Sequence, residues 1–287
     1  EFSISFFLFC PKLFFEPKHS AHLSLYKCIR FGEGRVMKYT LSWSGGKDST
    51  ASVILAHEHS EPLDLIIFCE VMFSDQISGE FPEHIDFVRN KAIPTFERWG
   101  YKTVILRADE TYLSIFLGYP TKGKRKGLGL RRGFPMVGRC GLNKPCKVRP
   151  IERFLKNIPD DFIQYIGIAV DETKRLKRLE NAKNKISLLE KYGYTEQMAY
   201  DLCKQHDLLS PIYEHTHRGG CWFCPNANQN HLRFLYKSHH DLWSQLSDLE
   251  MMPDLIGNKW NTLTGTSIHD LEQKFDKESK EIVIEQT

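Results

Sequence analysis

No stretch of the chain approaches the roughly 18 consecutive apolar residues that a membrane-spanning helix requires. Neither sign of charge dominates, since 39 Lys and Arg stand against 36 Asp and Glu in 287 residues, a net charge of +3. These absences argue against a membrane partner and against a protein that is basic along its whole length, so any preference for anions has to be local. The eight cysteines are too few for a disulfide-stapled miniature. Internal repeats and low-complexity linkers are missing. So is methionine from the first 36 residues, which also lack the basic start and small-residue cleavage site of a secretory leader. The first Met is Met37, and the purine-rich codons implied by Gly32-Glu33-Gly34-Arg35 fit a translated ribosome-binding site. Residues 1–36 are therefore expected to be upstream sequence, with the native protein starting at Met37 and residing in the cytoplasm. One further absence is local. Between Glu110 and Glu152 there is no acidic residue, while Lys122, Lys124, Arg125, Lys126, Arg131, Arg132, Arg139, Lys144, Lys147 and Arg149 all fall there.

What is present is the composition of an ordinary globular protein, 41% hydrophobic and 26% charged, at a length of one or two domains. Lys38 to Trp43 has the β-branched and aromatic bias of a short strand, and a Gly-rich turn and a helix ending near His59 follow it. Leu63 to Cys69 is a continuous apolar run, as in a strand buried on both faces. A helix starts at Pro82 and should kink at Pro94. Tyr101 to Leu106 and Phe162 to Ala169 give a third and a fourth strand. Strands alternating with helices define an α/β fold with a parallel sheet and flanking helices. Beyond residue 175 the spacing of Leu176, Leu179, Ala182, Ile186 and Leu189 predicts one helix, and Thr195 to Leu208 another. The expected division is 37–175 for the α/β domain and 176–287 for a helical, Cys-containing C-terminal part.

Ser44-Gly45-Gly46-Lys47-Asp48-Ser49 lies between the first strand and the first helix, where free backbone N–H groups and the helix dipole favour an anion. The glycines allow close approach, the hydroxyls donate, and Lys47 adds charge. Asp48 fits a helix cap or a Mg²⁺ ligand beside a pyrophosphate. The segment is not a Walker loop, which is longer and ends in Lys followed by Ser or Thr. After the fourth strand, Asp171 either caps the next helix or reaches a ribose hydroxyl or Mg²⁺, and Arg175 suits an anion. The acid-free window is either a solvated basic loop or an anion clamp closing over nucleotide phosphates, a sulfonucleotide or a nucleic-acid backbone.

Cys221-x-x-Cys224, in a Gly-flanked turn, and Cys140 with Cys146 supply two thiol pairs, the number needed for a tetrahedral zinc or a [4Fe–4S] cluster. A redox dithiol and simple burial are the alternatives, and His215, His217 or His231 is each a possible replacement for one thiolate. Cys69 and Cys203 read as core residues.

The Ser-Gly-Gly-Lys-Asp-Ser segment resembles the PP-loop of the ATP pyrophosphatase (adenine nucleotide alpha hydrolase) superfamily. Within it the chain is similar to the phosphoadenosine-phosphosulfate (PAPS) reductase-like family. Three further stretches carry the likeness, in that family's order: Cys146-Lys147-Val148-Arg149-Pro150-Ile151, then Gly167-Ile168-Ala169-Val170-Asp171-Glu172 with Arg175, then Ser210-Pro211-Ile212-Tyr213 leading into Gly220-Cys221-Trp222-Phe223-Cys224. The resemblance implies a Rossmann-like (HUP-type) sheet that binds ATP with Mg²⁺ and adenylates an acceptor with release of pyrophosphate. Lys47, Asp48, Asp171 and Arg175 would then be catalytic, Ser44 to Ser49 would hold the nucleotide, and Arg131, Arg132, Arg139, Lys147 and Arg149 would clamp the anion. It also implies sulfur chemistry, with tRNA or DNA as acceptor, a sulfur donor protein as partner, and zinc or an iron–sulfur cluster on Cys140, Cys146, Cys221 and Cys224. Two departures from the family stand out: the first two Cys are separated by five residues rather than adjacent, and no Cys follows Cys224. The second weighs against the alternative of a sulfonucleotide (PAPS/APS) reductase. A non-catalytic nucleotide- or nucleic-acid-binding module is the other alternative.

Overall fold

The chain builds outward from β1 (Lys38–Trp43), which lies between two parallel neighbours, β2 (Leu65–Glu70) and β5 (Phe162–Ile166). The computed structural model describes residues 37–138, 140–158, 161–217 and 219–285, the last four by backbone alone. The expectations for residues 1–36 and Arg139 fall outside the described residues. Outward on one side comes β3 (Lys102–Arg107), and outward on the other comes β6 (Lys185–Ile186), so the five-stranded sheet runs β3-β2-β1-β5-β6 and is parallel throughout. All six residues of β2 are buried, as the apolar run required of a strand covered on both faces. Ile66 and Phe68 meet the helices of one face, while the Cys69 thiol donates on the other to the Cys146 carbonyl at 3.3 Å.

The first face is covered by α1 (Lys47–Glu58) and by a broken helix, α2 (Pro82–Asp86) and α3 (Ile93–Arg98), joined by a π-helical turn over Phe87–Ala92. The expected kink at Pro94 is realised as that π turn. Proline lacks an N–H and its ring collides with the carbonyl four residues back, and a wider turn relieves both. The same device recurs at Asn143–Val148, ahead of Pro150 in α5 (Arg149–Lys156), where the Arg149 N–H reaches back to Lys144. The carbonyl four residues before Pro150 is that of Cys146, and it is the one the Cys69 thiol takes up.

The single helix expected over residues 176–189 is broken. It starts as α6 (Thr173–Leu179), gives way to β6, and resumes as α7 (Leu188–Lys191) under a Ser187 cap. Pairing with the open edge of β5 outweighs a helical spacing that contains Asn181 and Asn184, both weak helix formers. The sheet's core continues into α7 and α8 (Glu196–Gln205), through Leu188, Leu189, Ala199, Leu202 and Leu208. It therefore draws on residues well past 175.

A second apolar cluster gathers α4 (Tyr112–Leu117), α9 (Gln229–Ser238), α10 (His240–Glu250) and α11 (Ile268–Glu285) around Trp222, Phe223 and Trp243. Two short strands, β4 (Arg131–Gly133) and β7 (Leu255–Gly257), pair in parallel beside it. Trp222 fixes the Cys221–Cys224 turn by donating its indole N–H to the Ser78 carbonyl and its backbone N–H to that of Gly79, both at 2.9 Å. Among the described residues no helix is long and apolar enough to cross a membrane.

At the carboxyl end of β2, Glu70 is fully buried and accepts from Arg89 at 3.0 Å and from Arg107 at 2.8 and 2.9 Å. Burial opposes its charge, but Ser78 and the two guanidinium groups outweigh that cost and hold its carboxyl below the usual glutamate value. Glu70→Ala is expected to lower the unfolding free energy by about 2 kcal/mol in urea titrations, the scale of a lost hydrogen bond to a charged group.

Candidate functional site

The sheet's strand order reverses at β1, where β2 leads away on one side and β5 on the other. In open parallel sheets the crevice beyond the carboxyl ends at such a point is the usual ligand site. A cleft of about 300 Å³ lies there, and its lining includes Ser44, Gly46, Asp48, Ser49, Lys147 and Arg175 from the residues singled out in the sequence. Ser42, Glu80, Gly167, Tyr213, Gly219 and Gly220 line it as well.

The loop is shaped partly by bonds of its own. Gly46 is the N-cap of α1 and has no side chain to cap it; the Lys47 N–H is taken by the Tyr213 hydroxyl at 2.9 Å, and those of Asp48 and Ser49 have no partner within the helix. Ser49 instead folds back, its hydroxyl donating to the Gly46 carbonyl at 3.0 Å and accepting from the Ser44 N–H at 3.1 Å. Gly45 turns the chain at φ +76°, and a Cβ there would stand 2.6 Å from Nε2 of His84. Gly167, just past β5, leaves 2.6 Å between a Cβ position and the Ser49 nitrogen. Both glycines are required by backbone shape and close approach.

Two residues that carried no signal of their own in the sequence support the loop. His84 is buried beneath it, with Nδ1 2.8 Å from the Ser210 hydroxyl and Nε2 3.3 Å from the Ser44 carbonyl. Glu80, 4% exposed, faces the cleft 3.9 Å from Nζ of Lys147. Burial disfavours the Lys147 cation, yet Glu80 and the nearby thiols more than compensate and keep its pKa above the usual lysine value. Ser210-Pro211-Ile212-Tyr213, singled out by resemblance alone, proves to be a strap: Ser210 meets His84, and the Tyr213 hydroxyl accepts from the Lys47 N–H at 2.9 Å.

Other sequence candidates stand elsewhere. Lys47 extends its ammonium between Asp48 at 2.7 Å and Glu196 at 3.0 Å, and lines a neighbouring cavity with Glu196, Gln197 and Tyr200. Burial opposes its charge, and the two carboxylates outweigh burial and raise its pKa. For Asp48 burial wins, only partly offset by Lys47, and the carboxyl rises above the usual aspartate value. Asp171 does not cap the helix that follows it, since α6 has Glu172 as N-cap and no side-chain cap; it accepts instead from the Glu196 N–H at 3.1 Å at the start of α8. Arg175 pairs with Glu172. Arg131 is in β4, Arg132 lines a different cavity, and Arg149 is exposed at the start of α5, so these three are not brought to the cleft.

The cysteines are gathered only in part. Cys221 and Cys224 share one turn, with the Cys224 N–H on the Cys221 carbonyl at 3.0 Å; Cys146 is buried in the π turn ahead of α5, and Cys140 is exposed. Burial pushes the Cys146 thiol up to about 11 and raises that of Cys221 as well. Among the described residues no group of three or more His, Cys, Asp or Glu stands at metal-binding spacing. His215 stacks on Phe234 at 4.1 Å and His231 contacts the Trp222 carbonyl at 3.3 Å. Cys69 and Cys203 are buried, as expected of core thiols.

Set against protein-family models, curated proteins and solved structures, the chain matches none of them.

Burial holds the His84 imidazole below its ordinary value, because the cationic ring loses its hydration there. The unfolded chain then binds this proton at higher pH than the folded one, so stability falls as pH drops through about 6.5. The loss between pH 7.5 and 5, measured by urea unfolding at each pH, is expected to be smaller by about 1 kcal/mol in His84→Gln than in the native chain.

Proposed function

We propose that the chain is a PP-loop enzyme of the PAPS reductase-like kind, which binds ATP and adenylates an acceptor with release of pyrophosphate. The observation that carries the reading is the uncapped Ser44–Ser49 loop at the sheet's reversal point, with Lys147 and Arg175 lining the same cleft. The strand order supports a Rossmann-like, HUP-type sheet, and the C-terminal region carries the Cys221–Cys224 pair beside it.

In the reaction an acceptor oxygen attacks the α-phosphorus, the bond from that phosphorus to the α–β bridging oxygen breaks, and pyrophosphate leaves with the electron pair. The acceptor's proton passes to solvent. The loop N–H groups and Lys147 stabilise the charge that builds on the departing pyrophosphate, a preorganised electrostatic effect. Arg175 is placed to hold another phosphate oxygen, and Lys47 reaches the nucleotide by exchanging Glu196 for it. Asp48 and Glu80 offer the oxygen donors that Mg²⁺ prefers, and a bound Mg²⁺ supplies further neutralisation of the phosphates. Cys140, Cys146, Cys221 and Cys224 are the residues that would hold zinc or a [4Fe–4S] cluster, with Lys147 offsetting the thiolate charge. The acceptor class that fits the family likeness is tRNA or DNA receiving sulfur from a donor protein.

ATP labelled in its γ-phosphate, incubated with Mg²⁺ and bulk tRNA or DNA, is expected to yield pyrophosphate rather than phosphate, at a rate about 100-fold lower in Lys147→Gln. Release of phosphate, or no turnover together with no ATP binding, contradicts the reading; sulfite release from PAPS identifies a reductase instead. For the thiol site, anaerobic purification is expected to give either about one zinc per chain or iron with sulfide and broad visible absorption. In both cases Cys221→Ser should lose it, and a metal content equal in native and variant protein speaks against the site.

A further inference from the structure

A second cavity, about 600 Å³, shares no lining residue with the cleft. It lies between α4, the end of β4 and the Gly141-Leu142 segment, and its wall is apolar: Ile115, Phe116, Phe134, Met136, Leu142 and Ile256. Its form is fixed rather than collapsible. Gly133 and Gly257 pair so closely that a Cβ on Gly133 would meet the Gly257 carbonyl oxygen at 2.3 Å. Phe134 is wedged edge-on between Phe116 at 5.1 Å and Trp260 at 5.6 Å. Tyr112 also lines the cavity, and its hydroxyl is buried with no hydrogen-bond partner among the described residues, an arrangement that costs stability.

The rim has the opposite character. Lys122, Lys124, Arg125 and Arg132 line it, and the described residues give none of the four an ion-pair partner. The chain has no carboxylate within the acid-free window to supply one. Cations lining an apolar hollow attract an anion whose body is apolar, since the pocket rewards burial of the body and the cations reward the head.

A nucleic-acid backbone matches less well. It needs cations strung along a groove and aromatic faces free to stack on bases. Here three of the four cations come from one turn, residues 122–125, and the fourth from β4, while Phe116 and Phe134, 1% and 3% exposed, are packed against protein rings.

We propose that this cavity is a binding site for a small anionic amphiphile: an aromatic or short acyl body bearing one phosphate, sulfonate or carboxylate. The site is independent of the nucleotide reading. The full chain is titrated with 8-anilinonaphthalene-1-sulfonate, an aromatic body with one sulfonate, and the dye is competed with octyl phosphate, octanol, inorganic phosphate and an oligothymidylate. Expected are saturation at about one dye per chain and displacement by octyl phosphate about tenfold better than by octanol or inorganic phosphate. A Lys124→Glu, Arg125→Glu double variant and, separately, Met136→Glu should each weaken the dye about tenfold. All three positions are exposed, so the substitutions leave the core untouched. Equal affinity in native and variant proteins overturns the proposal. So does inorganic phosphate competing as well as octyl phosphate, which marks an anion site alone, or the oligothymidylate competing better, which marks a backbone groove.

Discussion

Gly167 and the first turn of α1 approach so closely that the end of β5 and the backbone of Asp48 and Ser49 are effectively one surface. The cleft depends on that contact. It brings the loop's N–H groups beside the neighbouring strand without a side chain between them, and it leaves the helix end uncapped in a setting where the dipole is only partly screened. His84 and Tyr213 complete the support from below and from the side. Each holds a backbone group of the loop, so neighbours add to the Ser44, Gly46 and Ser49 bonds within the loop in setting its shape.

The charges follow from this geometry. Lys147 enters the cleft from the π turn ahead of α5, and Glu80 enters from the loop that Trp222 pins down. The pair is loose, at 3.9 Å, which leaves the cation able to take a second anionic partner. Lys47 is more tightly engaged, between Asp48 and Glu196, and has to give up a carboxylate before it can meet a phosphate. Glu80 is the main reason the lysine stays charged, with Cys221, Cys69 and Cys140 adding to it only when they ionise.

Much of the sheet was legible in the sequence because its strands announce themselves. Leu65 to Glu70 is buried on both faces and reads as an unbroken apolar run, and Lys38 to Trp43 has the bias of a strand next to a Gly-rich turn. The loop was legible as a strand-to-helix turn because adjacent glycines, one of them at positive φ, mark such a turn whatever it binds. The break in the 176–189 helix was not, because two residues, Lys185 and Ile186, answer to an edge strand far away in sequence. Glu80 and His84 carried no signal for a similar reason: a single buried acid or imidazole acquires meaning only from the side chains that the fold sets around it. The basic window was visible as composition, but composition could not divide it. Lys147 turns to the cleft, while Lys122, Lys124, Arg125 and Arg132 turn to the second cavity.

The strap at Ser210–Tyr213 has a consequence for the order in which the molecule is made. Ser210 meets His84 across 126 positions of the chain, and Tyr213 meets Lys47 across 166. Synthesis runs from the N-terminus, and contacts this far apart in sequence close late. The strands of the sheet are all translated by Ile186, well before the strap leaves the ribosome. A nascent chain therefore has the chance to assemble its central sheet while the Ser44–Ser49 loop still lacks its brace, and the cleft gains its final form only after most of the protein has been built.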